Sequence, residues 1–516
     1  MMFSSVGNFR ALVPFFLVLL PCLAQNSIDA QHEATGFPPC DILIAAGLGD
    51  RLVLATSDAY EPRVASWWSA NARFRPWCFF LPTTTYEVSV AIAALDKTGS
   101  GAGDWHIAVR SGGHGFPGSN NIAKGVTIDL GNMNGSWYDA ERQVASVQPG
   151  GRWKDVYANL LDIAQVTVTG GRDGGVGVGG FLLGGGVSYH TGTNGFACNT
   201  VTNYEVVLAN GTIVQANGNK NSDLWKALKG GGLNFGIVTR FDLEAQPAVD
   251  LAYGQNVLIP GSSDEVIDTV VEFTDRSQGQ PHDHLITMYA STPGNKGVSV
   301  IAIRVNTQGD LNETAFDRLN KIPTVSSTWA KMSLADAANA SQAAGGTRNT
   351  QSTLTFLNSP KVLRYSAVLL EQLMVSLSEK IGAENFAAQM VLQPFPKLYS
   401  DVSQSKGGNM LGVERIESNA ILWVGGVAVF SDDAALAIAQ AESGAMTEKL
   451  KAFIAKEGAT TDFIYMNYAD PSQDFLGSYG SENLLFMKQV ANHYDPKGWW
   501  QYRVGARSAS IRVTPH

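Results

Sequence analysis

A histidine closes a glycine turn in Val109-Arg110-Ser111-Gly112-Gly113-His114. A denser cluster follows at Gly170-Gly171-Arg172-Asp173-Gly174-Gly175-Val176-Gly177-Val178-Gly179-Gly180-Phe181-Leu182-Leu183-Gly184-Gly185-Gly186. Each is preceded by a run that reads as a strand, His106–Val109 and Gln165–Val168. Glycines at this density permit positive φ and let backbone N–H groups close on a bulky anion with no Cβ between. A strand feeding such a nest suits the pyrophosphate of a dinucleotide, and an imidazole inside it is placed to touch the cofactor. Far along the chain, Phe463-Ile464-Tyr465-Met466-Asn467-Tyr468 offers phenols, groups that move protons when a neighbouring charge tunes them.

The elements that must position these groups fall into two textures. Between 73 and 245, β-rich runs alternate with glycine turns: 126–130, 144–148, 204–208 and 237–241 read as strands. Trp153–Leu161 and Ser222–Leu228 read as helices, and Asn210-Gly211 marks a hairpin. From about 250, strand-like runs at 284–292, 297–305, 387–393 and 420–430 alternate with helical stretches at 264–276, 361–380 and 432–457. That pattern predicts a second, α+β domain. Residues 460–505 form an aromatic and polar closing segment.

The chain has 516 residues, 45% hydrophobic and 16% charged, enough for more than one domain. Its 54 glycines concentrate between 99 and 236, as turn and cofactor chemistry requires. A net charge of −9 and a pI near 5.4 argue against nucleic acid or an anionic membrane as main partner. Arg10, the apolar run Ala11–Leu20 and Cys22-Leu23-Ala24 read as a secretory signal cut after Ala24, with a membrane anchor as the alternative. Glycosylation sequons at Asn134, Asn210, Asn312 and Asn339 accord with secretion. Cleavage removes Cys22; in an oxidising compartment Cys40 and Cys78 are the natural pair, leaving Cys198 as a buried small hydrophobe. No spacing of Cys or His suggests a metal site.

A Rossmann domain is the rival reading. Gly175-x-Gly177-x-x-Gly180 matches its fingerprint, but Phe181-Leu182-Leu183 followed by three glycines is a poor helix start. Ile42–Gly49 looks like a strand and turn, yet Leu52 holds the third glycine position.

The motifs taken in order resemble the vanillyl-alcohol-oxidase superfamily. They are Arg110–His114, Ile128-Asp129-Leu130, Val147-Gln148-Pro149-Gly150-Gly151-Arg152-Trp153, Val176–Gly180 and Lys229–Val238. Tyr465–Tyr468 and Tyr494-Asp495-Pro496 resemble the closing segment of its berberine-bridge-enzyme-like branch. The resemblance implies an α+β architecture: a signal at 1–24, a leader at 25–72 and a two-part PCMH-type FAD-binding domain at 73–248. An antiparallel-sheet substrate domain follows at 249–459, and a C-terminal segment at 460–516 returns to the FAD domain. It implies FAD held by Arg110, Ser111, Gly112, Gly113, His114, Val176, Gly177, Gly179, Gly180, Gly236, Val238 and Asn467.

The family histidine at the place of His114 bonds to the flavin 8α-methyl carbon. The family's second attachment residue, a cysteine, is Asp173 here, so single attachment is expected, and Phe181 stands where relatives carry another histidine. Val176 resembles the oxygen-permissive version of its position. Tyr465 matches the proton-accepting position, with Tyr468 expected on the opposite side of an extended strand. The strand 420–430 carries no charge, so a roof with Trp423 suits a hydrophobic substrate, with Gln389 and Gln393 facing the same pocket; His190 is expected to be structural. The function implied is an FAD-dependent oxidase taking a C–H hydride from a hydrophobic alcohol or amine in fungal secondary metabolism, with O2 as acceptor. Alternatives are a secreted oligosaccharide oxidase and a non-catalytic flavin-binding scaffold.

Overall fold

The computed structural model describes residues 34–97, 103–115, 118, 120–295 and 297–504. The signal at 1–24 and its cut after Ala24 lie outside the described residues.

Strands β1 (Leu52–Leu54), β2 (Cys78–Phe80), β3 (His106–Arg110) and β4 (Gly125–Asp129) form a sheet in the order β1-β2-β4-β3. β2, β4 and β3 run parallel, which requires a crossover; the helix Thr85–Lys97 lies on the way from β2 to β3. Parallel pairing in the register Arg110↔Asp129 brings the ends of β3 and β4 side by side, with the glycine turn leaving from that edge. Open α/β sheets place ligands at such carboxyl ends. Ile42–Gly49, which looks like a strand, is instead the end of a helix, Pro38–Leu43, and a further helical turn. Prolines in the first turn favour that start, and Cys40 is fixed to Cys78 by a disulfide with Cα atoms 6.2 Å apart. Cys198 is free and buried.

A second sheet takes β5 (Ser136–Asp139), β6 (Val144–Val147), β7 (Val166–Val168), β8 (Val201–Val207), β9 (Ile213–Asn217) and β10 (Ile237–Pro247), in the order β5-β6-β10-β8-β9 with β7 on β10. β10 outruns the strand expected at 237–241 because β8, β6 and β7 pair along successive parts of it.

The third sheet is antiparallel. Its strands are β11 (Leu251–Leu258), β12 (Asp283–Ala290), β13 (Ser299–Asn306), β14 (Thr324–Ser327), β15 (Ala330–Met332), β16 (Arg348–Leu357), β17 (Phe386–Phe395) and β18 (Ala420–Val429). The order is β14-β11-β13-β12-β17-β18-β16, with β15 on β11. Long helices, Pro360–Ile381 and Asp433–Lys456, pack Leu370 and Leu450 into one core with Leu354, Leu392 and Trp423 of the sheet.

Alternation along the strands therefore puts Trp423 on the helix side, away from the glycine nests, which corrects the expectation that it roofs the pocket. The opposite face carries Gln393 beside Leu422, and Gln351 and Gln389 on either side of Gly426. The closing segment returns to the connection between β9 and β10. Tyr494 Oη donates to Asp223 at 2.8 Å, and Trp500 Nε1 donates to the Leu233 carbonyl at 2.8 Å.

Candidate active site

The two glycine clusters meet. A Cβ on Gly112 would stand 2.6 Å from the Gly177 backbone, and Ser111 Oγ bridges them, donating to the Pro149 carbonyl and accepting from Gly179 N–H at 3.1 Å. Here glycine is required by close approach of two chains. The N–H groups of Gly112, Gly113 and His114 find no acceptor among the described residues, so they remain available to an anion. Gly180 is exposed and has open space where a Cβ would stand. A cavity of about 570 Å³ opens against the loop, lined among others by Ser111, Gly150, Arg63, Arg110 and Arg152 with Asp129 and Asp155. Unpaired amides, side-chain-free backbone and a cationic lining fit a dinucleotide diphosphate.

Arg110 is spent on the scaffold. Its guanidinium donates to Asp129 at 2.8 Å and to Ser66, and lies 3.6 Å over the Trp67 ring. His114 stacks on Trp68, with ring centroids 4.6 Å apart and 19° between planes. Burial pulls its pKa below the ordinary value; Asp173 acts against that shift and Arg152 with it.

Behind the second nest lies a cluster of phenols around Arg172. Arg172 Nη2 donates to Gln393 Oε1 at 2.6 Å and to Tyr468 Oη at 2.7 Å. Tyr465 Oη accepts from Val187 N–H at 2.8 Å and from Asn467 Nδ2 at 3.1 Å, and its own proton is left to donate. Burial, and then Tyr468, push the Tyr465 phenol well above its ordinary value, while Asn467, Val187 and Arg172 oppose the shift. Tyr399 Oη hydrogen-bonds His284 Nδ1 at 3.1 Å. Burial drives the His284 pKa down to about 3 and keeps it neutral.

The FAD binding domain family matches residues 76–217. The FAD-dependent monooxygenase sdcF of Emericella nidulans is 34% identical over 468 residues, 90% of this chain and 96% of its own. The chain belongs to the FAD-linked oxidoreductases that carry this FAD binding domain. The fold of this flavoenzyme is shared with a berberine-bridge-like enzyme of Physcomitrella patens (TM-score 0.71, 17% identity, covering 92% of this chain and 100% of that one). It is shared as well with glucooligosaccharide oxidase from Acremonium strictum, in a structure titled for its 6-S-cysteinyl, 8α-N1-histidyl FAD (TM-score 0.71, 18% identity, covering 92% and 100%).

In this flavoenzyme the remaining expected positions fall as follows. Val176 is half-buried at the nest, its carbonyl accepting from Trp153 N–H at 3.2 Å. Gly236 has φ +135 where a Cβ would strike the Val207 carbonyl, and Val238 is a core residue of β10 opposite Val206. Asn467 ties Tyr465 to the Phe181 carbonyl, holding the turn. Phe181 packs edge-on against Trp153 with ring centroids 5.2 Å apart. It lies in a short helix, Val178–Leu183, which forms despite the poor start and stops at the glycines. The strand before it is antiparallel in its sheet, so no Rossmann unit results. Asp173 caps the nest, accepting from Gly175 N–H at 2.7 Å and Ala343 N–H at 2.9 Å.

Tyr465 and Tyr468 are not on opposite sides. Met466–Tyr468 is a 3-10 turn, which eclipses residues three apart. Arg172, Tyr189, Tyr399 and His284 escaped the sequence reading; the available signal was one arginine directly after Gly170-Gly171 in a cluster with no other cation. His190 lines a separate cavity of about 300 Å³ with Tyr157 and His282, where burial lowers its pKa to about 4. All four sequon asparagines are exposed. No helix among the described residues is long and apolar enough to cross a membrane, and none of their His, Cys, Asp and Glu side chains cluster as a metal site.

Proposed function

We propose that the enzyme takes a hydride from an alcohol- or amine-bearing carbon of a small molecule in secondary-metabolite biosynthesis, with O2 as acceptor and H2O2 released. The observation that carries this reading is the grouping of Tyr465, Tyr468 and Arg172 beside the glycine nests. FAD, when bound, supplies the hydride acceptor. Tyr465 holds a proton at Oη and, as the phenolate, accepts one from the substrate heteroatom; Asn467 and Val187 N–H steady that oxygen. The substrate face is aromatic with polar tips: Tyr189, Tyr399, Tyr465 and Tyr468, with Gln393 above. That favours a flat, hydroxylated ring system over an aliphatic chain.

We further propose that His114 carries the flavin as its single covalent tether. A neutral imidazole is the nucleophilic form, burial favours it, and Trp68 fixes the ring plane. Asp173, bound to two backbone amides, offers no thiol for a second bond. Entry into the secretory pathway through the signal at 1–24 is part of the same proposal, supported by the Cys40–Cys78 bridge.

A second reading has the substrate gain an oxygen atom, since relatives such as sdcF are named monooxygenases. The row Gln351, Gly426 and Gln389 keeps an oligosaccharide substrate in view as well. One screen tests all three. Aromatic alcohols, amines and oligosaccharides are supplied with labelled O2, and peroxide and product mass are both followed. Peroxide with an unlabelled aromatic product supports oxidation; label in the product replaces it with oxygen insertion; turnover of sugars alone replaces the substrate class.

A further inference from the structure

Arg172 is a half-buried cation with no acidic partner among the described residues. Its two hydrogen bonds go to neutral acceptors, Gln393 Oε1 and Tyr468 Oη, both from Nη2. The groups that act on its charge are phenols: Tyr468, Tyr189, Tyr399 and Tyr465. The adjacent carboxylate, Asp173, is turned to the backbone of Gly175 and Ala343. Among the described residues Nε and Nη1 have no hydrogen-bond partner, yet neither is fully sealed from solvent. Removing a charge from water without a counter-charge is unfavourable. Elsewhere Arg110 has Asp129 and Arg240 has Glu205 and Asp242, while the buried Lys229 and Arg304 are held by neutral oxygens and by the rings of Trp225 and Trp329.

We propose that the missing counter-charge is the substrate's: Arg172 seats an ionised oxygen acid, a carboxylate or an acidic enol or phenol hydroxyl, on Nε or Nη1. Nε–H and Nη1–H lie on different edges of the guanidinium, and either one makes a charge-assisted hydrogen bond to a single oxygen of a carboxylate, enolate or phenolate. This deepens the proposed oxidation and rests on it for the placing of the substrate. It makes Arg172 a specificity-determining residue: a substrate with its acidic group intact is retained, and its ester or amide is rejected. The acid would also lie among the four phenols, fixing which carbon is presented.

The test uses the holoenzyme and titration calorimetry with three flat probes. These are naphthoate, nitrophenolate at a pH where its hydroxyl is ionised, and uncharged naphthamide. Wild type is expected to bind at least one of the anions about tenfold or more tighter than naphthamide. Which anion wins distinguishes a carboxylate from an acidic hydroxyl. Arg172→Met is expected to erase the preference and Arg172→Lys to keep part of it. Equal binding of all three probes to wild type overturns the proposal without recourse to any variant, and so does a preference that survives in a folded Arg172→Met. If the acid preference holds but no substrate bleaches the flavin, the proposed oxidation fails and the anion seat stands.

Discussion

Tyr465 and Tyr468 meet edge to face, with ring centroids 4.9 Å apart and planes at 86°. One hydroxyl accepts from the backbone of Val187, the other from the guanidinium of Arg172. The pair thus joins a glycine-rich segment to the closing segment of the chain, and gives two phenols different tasks. Tyr468 is anchored by a cation; the Tyr465 oxygen accepts from two neutral donors.

The protonation of Tyr465 sets a pH dependence. Its pKa is raised, chiefly by burial, so the phenol is neutral near pH 7 and the phenolate fraction grows with pH until that raised value is reached. The rate of anaerobic flavin reduction by substrate is therefore expected to climb through the alkaline range. Tyr465→Phe should lower it by roughly a hundredfold or more and flatten the pH profile. Stopped-flow absorbance across pH measures both. An unchanged slope in the variant would remove Tyr465 from proton transfer.

Contact between the nests predicts a steric result. Gly112→Ala places a methyl 2.6 Å from the Gly177 backbone and against Arg152, in a segment too tightly held to yield. A loss of about 3 kcal/mol in stability and a drop in flavin content are expected. Gly180→Ala, with open space at its Cβ, should leave stability within about 0.5 kcal/mol. Thermal melts and flavin-to-protein absorbance ratios compare the two; equal losses would mean that the close approach does not matter.

Much of this centre was legible because its signals are local. Arg110–His114 lies at a strand end whose β-rich run is unbroken, and the long helices expected at 361–380 and 432–457 match to one residue at each end. Other features depend on packing that no local signal carries. Trp423 lies in a strand whose two faces are both apolar, so alternation alone cannot say which one the helices cover. Tyr465–Tyr468 has strand-like composition, yet the contacts of Asn467 to Phe181 and Tyr465 tighten it into a 3-10 turn. Arg172 gained meaning only when Gln393 and Tyr468, distant in sequence, closed on it.

Asp283 gives a stability prediction independent of the flavin. Burial raises its pKa from 3.8 to about 7, against the donor Asn306 Nδ2 and with help from Glu313 and Asp310. The folded form then holds a proton that the unfolded chain releases near pH 4. Its contribution is complete below that pH and is lost as pH rises through about 7. Asp283→Asn keeps an acceptor for Asn306 and cannot ionise. It is expected to be close to neutral at low pH and to stabilise by up to about 3 kcal/mol above pH 7. Denaturant titrations at acid and alkaline pH check the sign; equal effects at both would show that Asp283 titrates normally.

The central claim is a flavin tethered at one histidine between the two glycine nests. Digestion of the acid-denatured protein followed by peptide mass spectrometry tests it most directly. The account predicts a single peptide carrying one FAD on His114, with no flavin on the peptide of Asp173. An unmodified His114 peptide, with all of the flavin free in the acid supernatant, would contradict it.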